Sequence, residues 1–342
     1  MSSVVYRDTL LVLYALVQGW RLLRRSFGVA VLLLVVNLAT ALVLAAPLAG
    51  ILRRELHHKQ ASQSMMYGFD FPWWSQWSDA QSGWSASFGP EIFGVGFAFR
   101  NLDLLLKGAL PANAFAIRAD SGPTLDPVIL GVGLVYLLVQ IFLAGGILST
   151  LRGVQGTWTV RGLFHGAGFY FGRFVRVALV ALIAAWFVFG LNAAFARWVD
   201  GRARESVSET TAMAWLMGRH VLLLLALLFV NLVSGYAKAI VVIEERSSAL
   251  LAFVSALSFC LRNFLRTFGH YLLVVLLGVV LLAGWRLLDG AYTTTGYKTQ
   301  LLTFALFQLF VLARVALRVM LMGGQLALYR RLAAPEALAS AA

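Results

Sequence analysis

The chain has 342 residues, of which 60% are apolar and only 13% are charged, and its mean hydropathy is +0.81. A soluble domain carries about a quarter charged residues, so this composition excludes an ordinary soluble protein and indicates a membrane protein. The formal net charge of +13 comes from basic residues that flank apolar runs, which favours anionic lipid headgroups over nucleic acid as partners.

Six apolar runs are long enough to cross a bilayer, and they predict an all-α bundle of six transmembrane helices. They cover residues 27–52, 127–151, 177–199, 213–236, 268–288 and 301–328. Arginine- and lysine-rich segments precede the first run, separate the second from the third and the fourth from the fifth, and follow the sixth. The positive-inside rule therefore predicts that both termini lie in the cytoplasm.

Three basic amphipathic segments, 8–25, 162–176 and 247–266, precede the odd-numbered runs. Their aromatic and aliphatic residues suit the inner membrane interface, so we expect amphipathic helices there. Their arginines are candidate contacts for anionic lipid headgroups, namely Arg24, Arg25, Arg173, Arg176, Arg262 and Arg266. The alternative is that these arginines serve only as topology anchors.

A long loop, 53–126, separates the first two runs and is predicted to face the periplasm. It contains four of the ten tryptophans, Trp73, Trp74, Trp77 and Trp84. They form either an ordinary interfacial aromatic belt or a surface for a periplasmic protein partner. The apolar stretch that begins at Pro90 is short and interrupted by glycines, so we expect an interfacial helix there and not a seventh span.

An internal repeat organises the chain. Gly146, Gly235 and Gly324 recur at a spacing of 89 residues, and the same offset relates Arg173 to Arg262. We infer three parallel units, each an amphipathic helix followed by a transmembrane hairpin. The predicted boundaries are 1–26 for the first amphipathic helix, 27–151 for the first hairpin with its loop, 152–240 and 241–331 for the second and third units, and 332–342 for a disordered tail. The glycines allow close helix packing, and a hinge is the alternative.

Arg314 and Arg318 lie near the middle of the last apolar run. An arginine at the centre of a bilayer costs roughly 2.5 to 3.5 kcal/mol on insertion scales, so something must compensate for this pair. Their spacing of four residues places them on one helix face. No Asp or Glu lies at the centre of a run, so an ion pair within the bundle is not expected.

Two interpretations of this arginine pair remain. The pair either faces an anion, such as a phosphate, a carboxylate or a lipid headgroup, or joins helices through neutral polar groups. The candidate ligand-binding residues are Arg314, Arg318, Gln140, Asn231 and Gln308.

The chain contains no recognisable catalytic motif. GxSxG, HExxH and Walker A patterns are absent, so no catalytic residue is predicted. The single cysteine, Cys260, and five scattered histidines predict neither a metal site nor a cofactor. We therefore expect a non-enzymatic protein.

The segments 171–176 (FGRFVR) and 264–269 (FLRTFG), together with the Gly323-Gly324 pair, resemble a group of bacterial inner-membrane proteins. This group includes the membrane domain that accompanies some glycerophosphodiester phosphodiesterases. The resemblance implies a six-span protein of the bacterial inner membrane, and it carries no phosphodiesterase activity because that domain is absent from the sequence. Two functions remain: binding or moving an anionic or lipid-like ligand near Arg314 and Arg318, or acting as a scaffold for a periplasmic partner bound through loop 53–126.

Overall fold

The computed structural model describes residues 2–57, 60–65, 69–90, 96–106, 126–153, 158–289 and 296–339. Within these ranges every regular element is a helix. The α-helices are α1 (Ser2–Arg25), α2 (Phe27–Leu56), α3 (Gln60–Ser64), α4 (Phe71–Ala80), α5 (Gly96–Leu106), α6 (Pro127–Arg152), α7 (Val160–Glu205), α8 (Glu209–Ile243), α9 (Ala249–Arg262), α10 (Phe264–Asp289) and α11 (Tyr297–Ala339). A short 3₁₀ helix, Gly83–Ser87, lies between α4 and α5.

Six of the described helices, α2, α6, α7, α8, α10 and α11, are long and apolar enough to span a membrane. The shortest have 26 residues. At 1.5 Å per residue such a helix is about 39 Å long, which exceeds the hydrocarbon core of a bilayer. Helix α5, in the apolar stretch after Pro90, has 11 residues, and the residues on both sides of it lie outside the described ranges. The prediction of an all-α fold is confirmed for the described residues, and their six long apolar helices agree with the predicted six spans of a multi-pass membrane protein.

Polar residues at the helix ends fix where these helices begin. Asp126 accepts a hydrogen bond from the backbone N–H of Val128 at 2.8 Å, and Pro127 follows at the first position of α6, where its missing N–H costs nothing. Thr159 caps α7 through the N–H of Gly162. The apolar stretches that follow contain no proline, so the helices continue across the predicted spans.

Two boundaries differ from those expected. Segment 162–176 is not a separate amphipathic helix, because it continues without a break into the third span as the 46-residue helix α7. After the other two basic amphipathic segments the chain breaks, at Ser26 between α1 and α2 and at Asn263 between α9 and α10. Residues 332–339, predicted as part of a disordered tail, belong to α11, and the last three residues lie outside the described ranges.

The carboxyl ends of α6, α8 and α11 lie together at one end of the bundle, which we call the basic end, and α11 packs against α1 there. Arg152 forms an ion pair with Glu245 at 2.7 Å, and Arg330 donates to the carbonyl oxygen of Arg152 at 3.1 Å. At the opposite end, the loop end, Gly83 lies beside Asp126 at the start of α6. Helices α6, α8 and α11 also contact one another, so they form the centre of the bundle.

Two glycines permit the closest helix crossings at the basic end. A Cβ atom on Gly146 of α6 would lie 2.5 Å from the carbonyl oxygen of Leu163 on α7. A Cβ atom on Gly19 of α1 would overlap the carbonyl oxygen of Met320 on α11. Neither position leaves room for a side chain, so the backbones approach each other as small residues allow in lipid.

Candidate functional site

A polar network crosses the centre of the bundle at Arg318 of α11. Its guanidinium Nη1 donates to Oε1 of Gln140 on α6. The Gln140 side chain is buried, and its Nε2 donates to Oδ1 of Asn37 on α2 at 2.9 Å. The hydroxyl of Tyr136 donates to the same Asn37 oxygen at 3.2 Å. One arginine is thus connected through neutral groups to two other helices.

The network contains positive charge without a matching carboxylate. Lys238 of α8 carries a second positive charge, and its electrostatic interaction with Arg318 is unfavourable. Among the described residues no Asp or Glu forms an ion pair with either of these side chains. Buried charges are normally paired, because leaving water costs free energy that only an opposite charge or hydrogen bonds offset.

Three carboxylates of the basic end have partners other than Arg318 and Lys238. Glu245 pairs with Arg152, Glu244 pairs with Arg246 at 2.5 Å, and Asp8 pairs with Arg266 at 2.6 Å. Glu244 also accepts a hydrogen bond from the hydroxyl of Tyr329. These carboxylates therefore hold the basic-end helices together, and Arg318 keeps donors beyond the one bound to Gln140 for an anion of another molecule.

Arg314 has a different environment from Arg318, although it lies only one helical turn away. Its guanidinium lies 5.7 Å from the ring centroid of Phe97 on α5 and 5.7 Å from that of Phe310. The side chain is exposed in the isolated chain. Aromatic faces attract a guanidinium, so these two rings supply part of the compensation that the sequence left open. The two arginines do not share one set of neighbours.

The other two candidate ligand residues lie outside this network. Asn231 donates through Nδ2 to the hydroxyl of Tyr271 at 2.7 Å, which joins α8 to α10. The side-chain amide of Gln308 makes no hydrogen bond with the described residues. Of the five candidates, the structure brings only Arg318 and Gln140 together by hydrogen bonding.

The six candidate headgroup arginines divide into two groups. Arg266 binds Asp8, Arg173 donates to the carbonyl oxygen of Glu245 at 3.2 Å, and Arg176 donates to the carbonyl oxygen of Gly172 at 3.2 Å. Each of these three guanidiniums therefore has a partner within the protein. Arg24, Arg25 and Arg262 are exposed.

The tryptophans of the outer segment form a small aromatic core. Trp73 stacks on Trp77 at 5.7 Å, and Trp77 meets Phe88 edge to face at 5.6 Å. The indole N–H of Trp74 donates to the carbonyl oxygen of Phe88 at 2.8 Å. Trp77 is buried, so its ring stabilises this segment and presents no surface to a partner. Trp73, Trp74 and Trp84 are half-buried.

Asp70 fixes the start of this aromatic segment. Its carboxylate accepts hydrogen bonds from the hydroxyl of Ser64 at 2.5 Å and from the backbone N–H of Trp73 at 3.0 Å. The Ser64 hydrogen bond, followed by the Trp73 hydrogen bond, lowers the pKa of the Asp70 carboxyl from its ordinary value of 3.8. Helix α4 therefore begins at a charged cap.

Sequence reasoning did not select Asn37, Tyr136 and Lys238 as site residues. Asn37 is a polar residue in the middle of the first apolar run, and Lys238 lies five residues before the end of α8. These two signals were visible, but only the packing of α2, α6 and α11 shows that Asn37 is connected to Arg318 through Gln140.

No group of three or more His, Cys, Asp or Glu side chains that could hold a metal ion occurs within the described ranges. Comparison with protein-family models, with curated proteins and with solved structures finds no significant match for this chain.

Proposed function

We propose that this chain is a non-enzymatic protein of the bacterial inner membrane that binds an anionic, lipid-like ligand at Arg318 and Lys238. The observation that carries the proposal is the hydrogen bonding of Arg318, whose acceptor is the neutral Gln140 and not a carboxylate. A lipid phosphate or a carboxylate that binds Arg318, and whose charge also offsets that of Lys238, would supply the missing negative charge. Gln140, Asn37 and Tyr136 would orient the guanidinium toward it.

The proposed parallel repeat relates the Arg318 site to the three units of the chain. We infer that α6, α8 and α11 are equivalent second spans of three units, because they carry Gly146, Gly235 and Gly324 and contact one another. Only the third unit has an arginine at the position of Gln140, so the site is local to the junction of the first and third units. The positive-inside rule places the basic end in the cytoplasm, as proposed from the sequence.

The proposal is tested with full-length protein in nanodiscs of phosphatidylcholine or of phosphatidylglycerol. A ligand that binds only the folded state raises the melting temperature, so phosphatidylglycerol should stabilise the unchanged protein. Arg318→Leu should lose this difference, and native mass spectrometry should detect less retained phosphatidylglycerol. Arg314→Leu is the matched control, since it removes a cation from the same helix while leaving the Gln140 network intact.

Structural joining of helices, the competing role for Arg318, has a different signature. If Arg318 only held helices together, Arg318→Leu would lower the melting temperature equally in both lipids and would leave the retained phosphatidylglycerol unchanged. That result would contradict ligand binding. Equal lipid loss in Arg314→Leu and Arg318→Leu would also contradict it, because the effect would then not depend on the Gln140 network.

A scaffold for a periplasmic protein is the second candidate function, favoured by the folded aromatic segment 69–90. Phe71 and Phe99 are the most exposed large apolar residues of loop 53–126 among those described, with 57% and 66% of their surface accessible. Replacing Phe71 and Phe99 by Ser keeps the Trp77 core, and should remove a cross-linked partner identified by mass spectrometry in native membranes. Val207→Ser, at an exposed position of the same end, is the control. Equal cross-linking in the unchanged protein, the double variant and the control would exclude this surface.

A further inference from the structure

A cavity of about 510 Å³ opens at the basic end between α1 and the last turns of α11. Its polar lining consists of six side chains: Tyr14, Gln18, Arg21, Arg25, Arg330 and Arg331. Four of these are arginines, and no Asp or Glu lines the cavity among the residues whose side chains the structure describes, which in α11 end at Ala333. It is separate from the Arg318 network, because none of the residues of that network lines it.

The sequence of α1 places its four polar lining residues on one helix face. Tyr14, Gln18, Arg21 and Arg25 are separated by four, three and four residues, the spacing of neighbours along a helix surface. The crossing of α1 and α11 holds that face against α11, since a Cβ atom placed on Gly323 would lie 3.3 Å from the Cα of Gly19. The cavity walls are therefore fixed by close backbone packing.

Two of the four guanidiniums are held in place by neutral partners. Arg331 lies over the ring of Tyr14, with 4.3 Å from the guanidinium carbon to the ring centroid. Arg330 donates to the backbone carbonyl oxygen of Arg152 at 3.1 Å. Neither contact neutralises a charge. The nearby carboxylates of Asp8, Glu244 and Glu245 are engaged by other arginines.

We propose that this cavity binds a phosphate-bearing ligand through Arg21, Arg25, Arg330 and Arg331. Guanidinium groups bind phosphate through paired N–H donors, and several of them around one cavity repel each other until an anion enters. The phosphate comes either from the headgroup of an anionic lipid, since the cavity lies beside the membrane-spanning part of α11, or from a soluble phosphate compound. The binding chemistry is the same for both sources.

The test uses the full-length protein and two probes. The first probe is phosphatidylglycerol in nanodiscs, compared with phosphatidylcholine. The second is inorganic pyrophosphate added to the protein in phosphatidylcholine nanodiscs. The readouts are retained lipid by native mass spectrometry and the melting temperature. Stabilisation by phosphatidylglycerol alone identifies a lipid headgroup, and stabilisation by pyrophosphate identifies a soluble phosphate compound; each supports phosphate binding.

Matched double variants locate the binding. Arg21→Gln with Arg330→Gln removes two cavity arginines, and we expect affinity for the effective probe to fall by about tenfold or more, as loss of charge-assisted hydrogen bonds implies. Arg161→Gln with Arg204→Gln removes the same charge from exposed arginines that neither line the cavity nor belong to the candidate headgroup contacts, and should change affinity by less than about twofold because exposed charges act weakly.

A second pair of substitutions guards against a folding defect. Arg21→Lys with Arg330→Lys preserves the charge and the packing but removes the planar guanidinium, so it should weaken binding by less than the glutamine pair. If neither probe stabilises the unchanged protein, or if the cavity pair and the control pair lose affinity equally, the proposal is overturned.

Discussion

In α6 every buried residue lies between Gln140 and Leu151, in the half near the basic end, whereas residues 127–139 are half-buried or exposed. Helix α8 shows the same division, because its main group of buried residues begins at Leu232. The basic-end half of the bundle is closely packed, and the loop-end half is more open. Because lipid provides no hydrophobic driving force between helices, the packed half is where small residues allow backbones to meet.

Gln140 is the first buried residue of α6, so the Arg318 network lies at the boundary between these two halves. At this boundary neutral polar groups can cover one side of a charged side chain, and a ligand can still reach its other side from the open loop-end half. This position distinguishes Arg318 from Arg152, Arg266 and Arg330 of the basic end, which have carboxylate or carbonyl partners.

The largest effect is expected from a glycine substitution in the packed half. Gly146→Ala should destabilise the folded state by about 2 to 3 kcal/mol, because the added Cβ would clash with the backbone of Leu163. Gly133→Ala on the same helix is the control. No described atom of another element lies within 4 Å of its Cβ position, so this change should be neutral or stabilise by up to about 1 kcal/mol. Unfolding in detergent measures both, and equal effects would contradict the difference between the two halves.

Removing the amide acceptor at the boundary should have the next largest effect. Gln140→Leu leaves the Arg318 guanidinium without its hydrogen-bond acceptor, which should cost about 1 to 3 kcal/mol in the free energy of unfolding. Gln308→Leu removes an amide from α11 that makes no hydrogen bond with the described residues, and should change stability by less than about 0.5 kcal/mol. Chemical unfolding in detergent measures both variants. Comparable losses would show that Arg318 does not depend on Gln140.

Two ion pairs, one at each end of the bundle, allow the stability contributed by a salt bridge to be compared between the ends. Asp8 and Arg266 join α1 to α10 at the basic end, with side chains 15% and 24% exposed. Asp8→Asn should therefore cost about 1 to 2 kcal/mol, as for a charged hydrogen bond that is partly shielded from water. At the loop end Arg202 and Glu205 are 56% and 72% exposed, and Glu205→Gln should cost less than about 0.5 kcal/mol. Thermal unfolding at low and high salt measures whether Asp8→Asn destabilises the protein more than Glu205→Gln. Equal destabilisation by the two variants would contradict the expected order.

The smallest expected effect is a pH-dependent loss of stability in the outer aromatic segment 69–90. The folded-state pKa of Asp70 lies below its ordinary value of 3.8, so its stabilising effect is full above that value and disappears as the pH falls through the folded pKa. Acidification below about pH 4 should therefore loosen α4 and change the tryptophan emission of Trp73 and Trp77. Asp70→Asn should show little of this acid transition. A transition of equal size in Asp70→Asn would assign it to another group.

The sequence alone predicted a membrane protein and the number of long apolar helices. An apolar segment can be identified locally, and its length can be compared directly with the thickness of a bilayer. The sequence was also sufficient to identify Arg318 as a costly residue and Gln140 as a candidate partner. It misjudged the continuity of α7, since amphipathic periodicity at 162–176 does not reveal whether a helix bends before its span. The repeat, the orientation and the bound ligand stay predictions.

Tertiary structure decided which polar residues meet. Arg314 and Arg318 are equivalent by helical spacing, yet one lies against aromatic rings and the other binds an amide on a different helix. The four arginines of the basic-end cavity come from the two ends of the chain, and the close crossing of α1 with α11 brings them together. The hydrophobicity of a segment is a property of its own sequence and can be predicted from it. The partner of a charged side chain lies on another helix, so it depends on which helices are in contact.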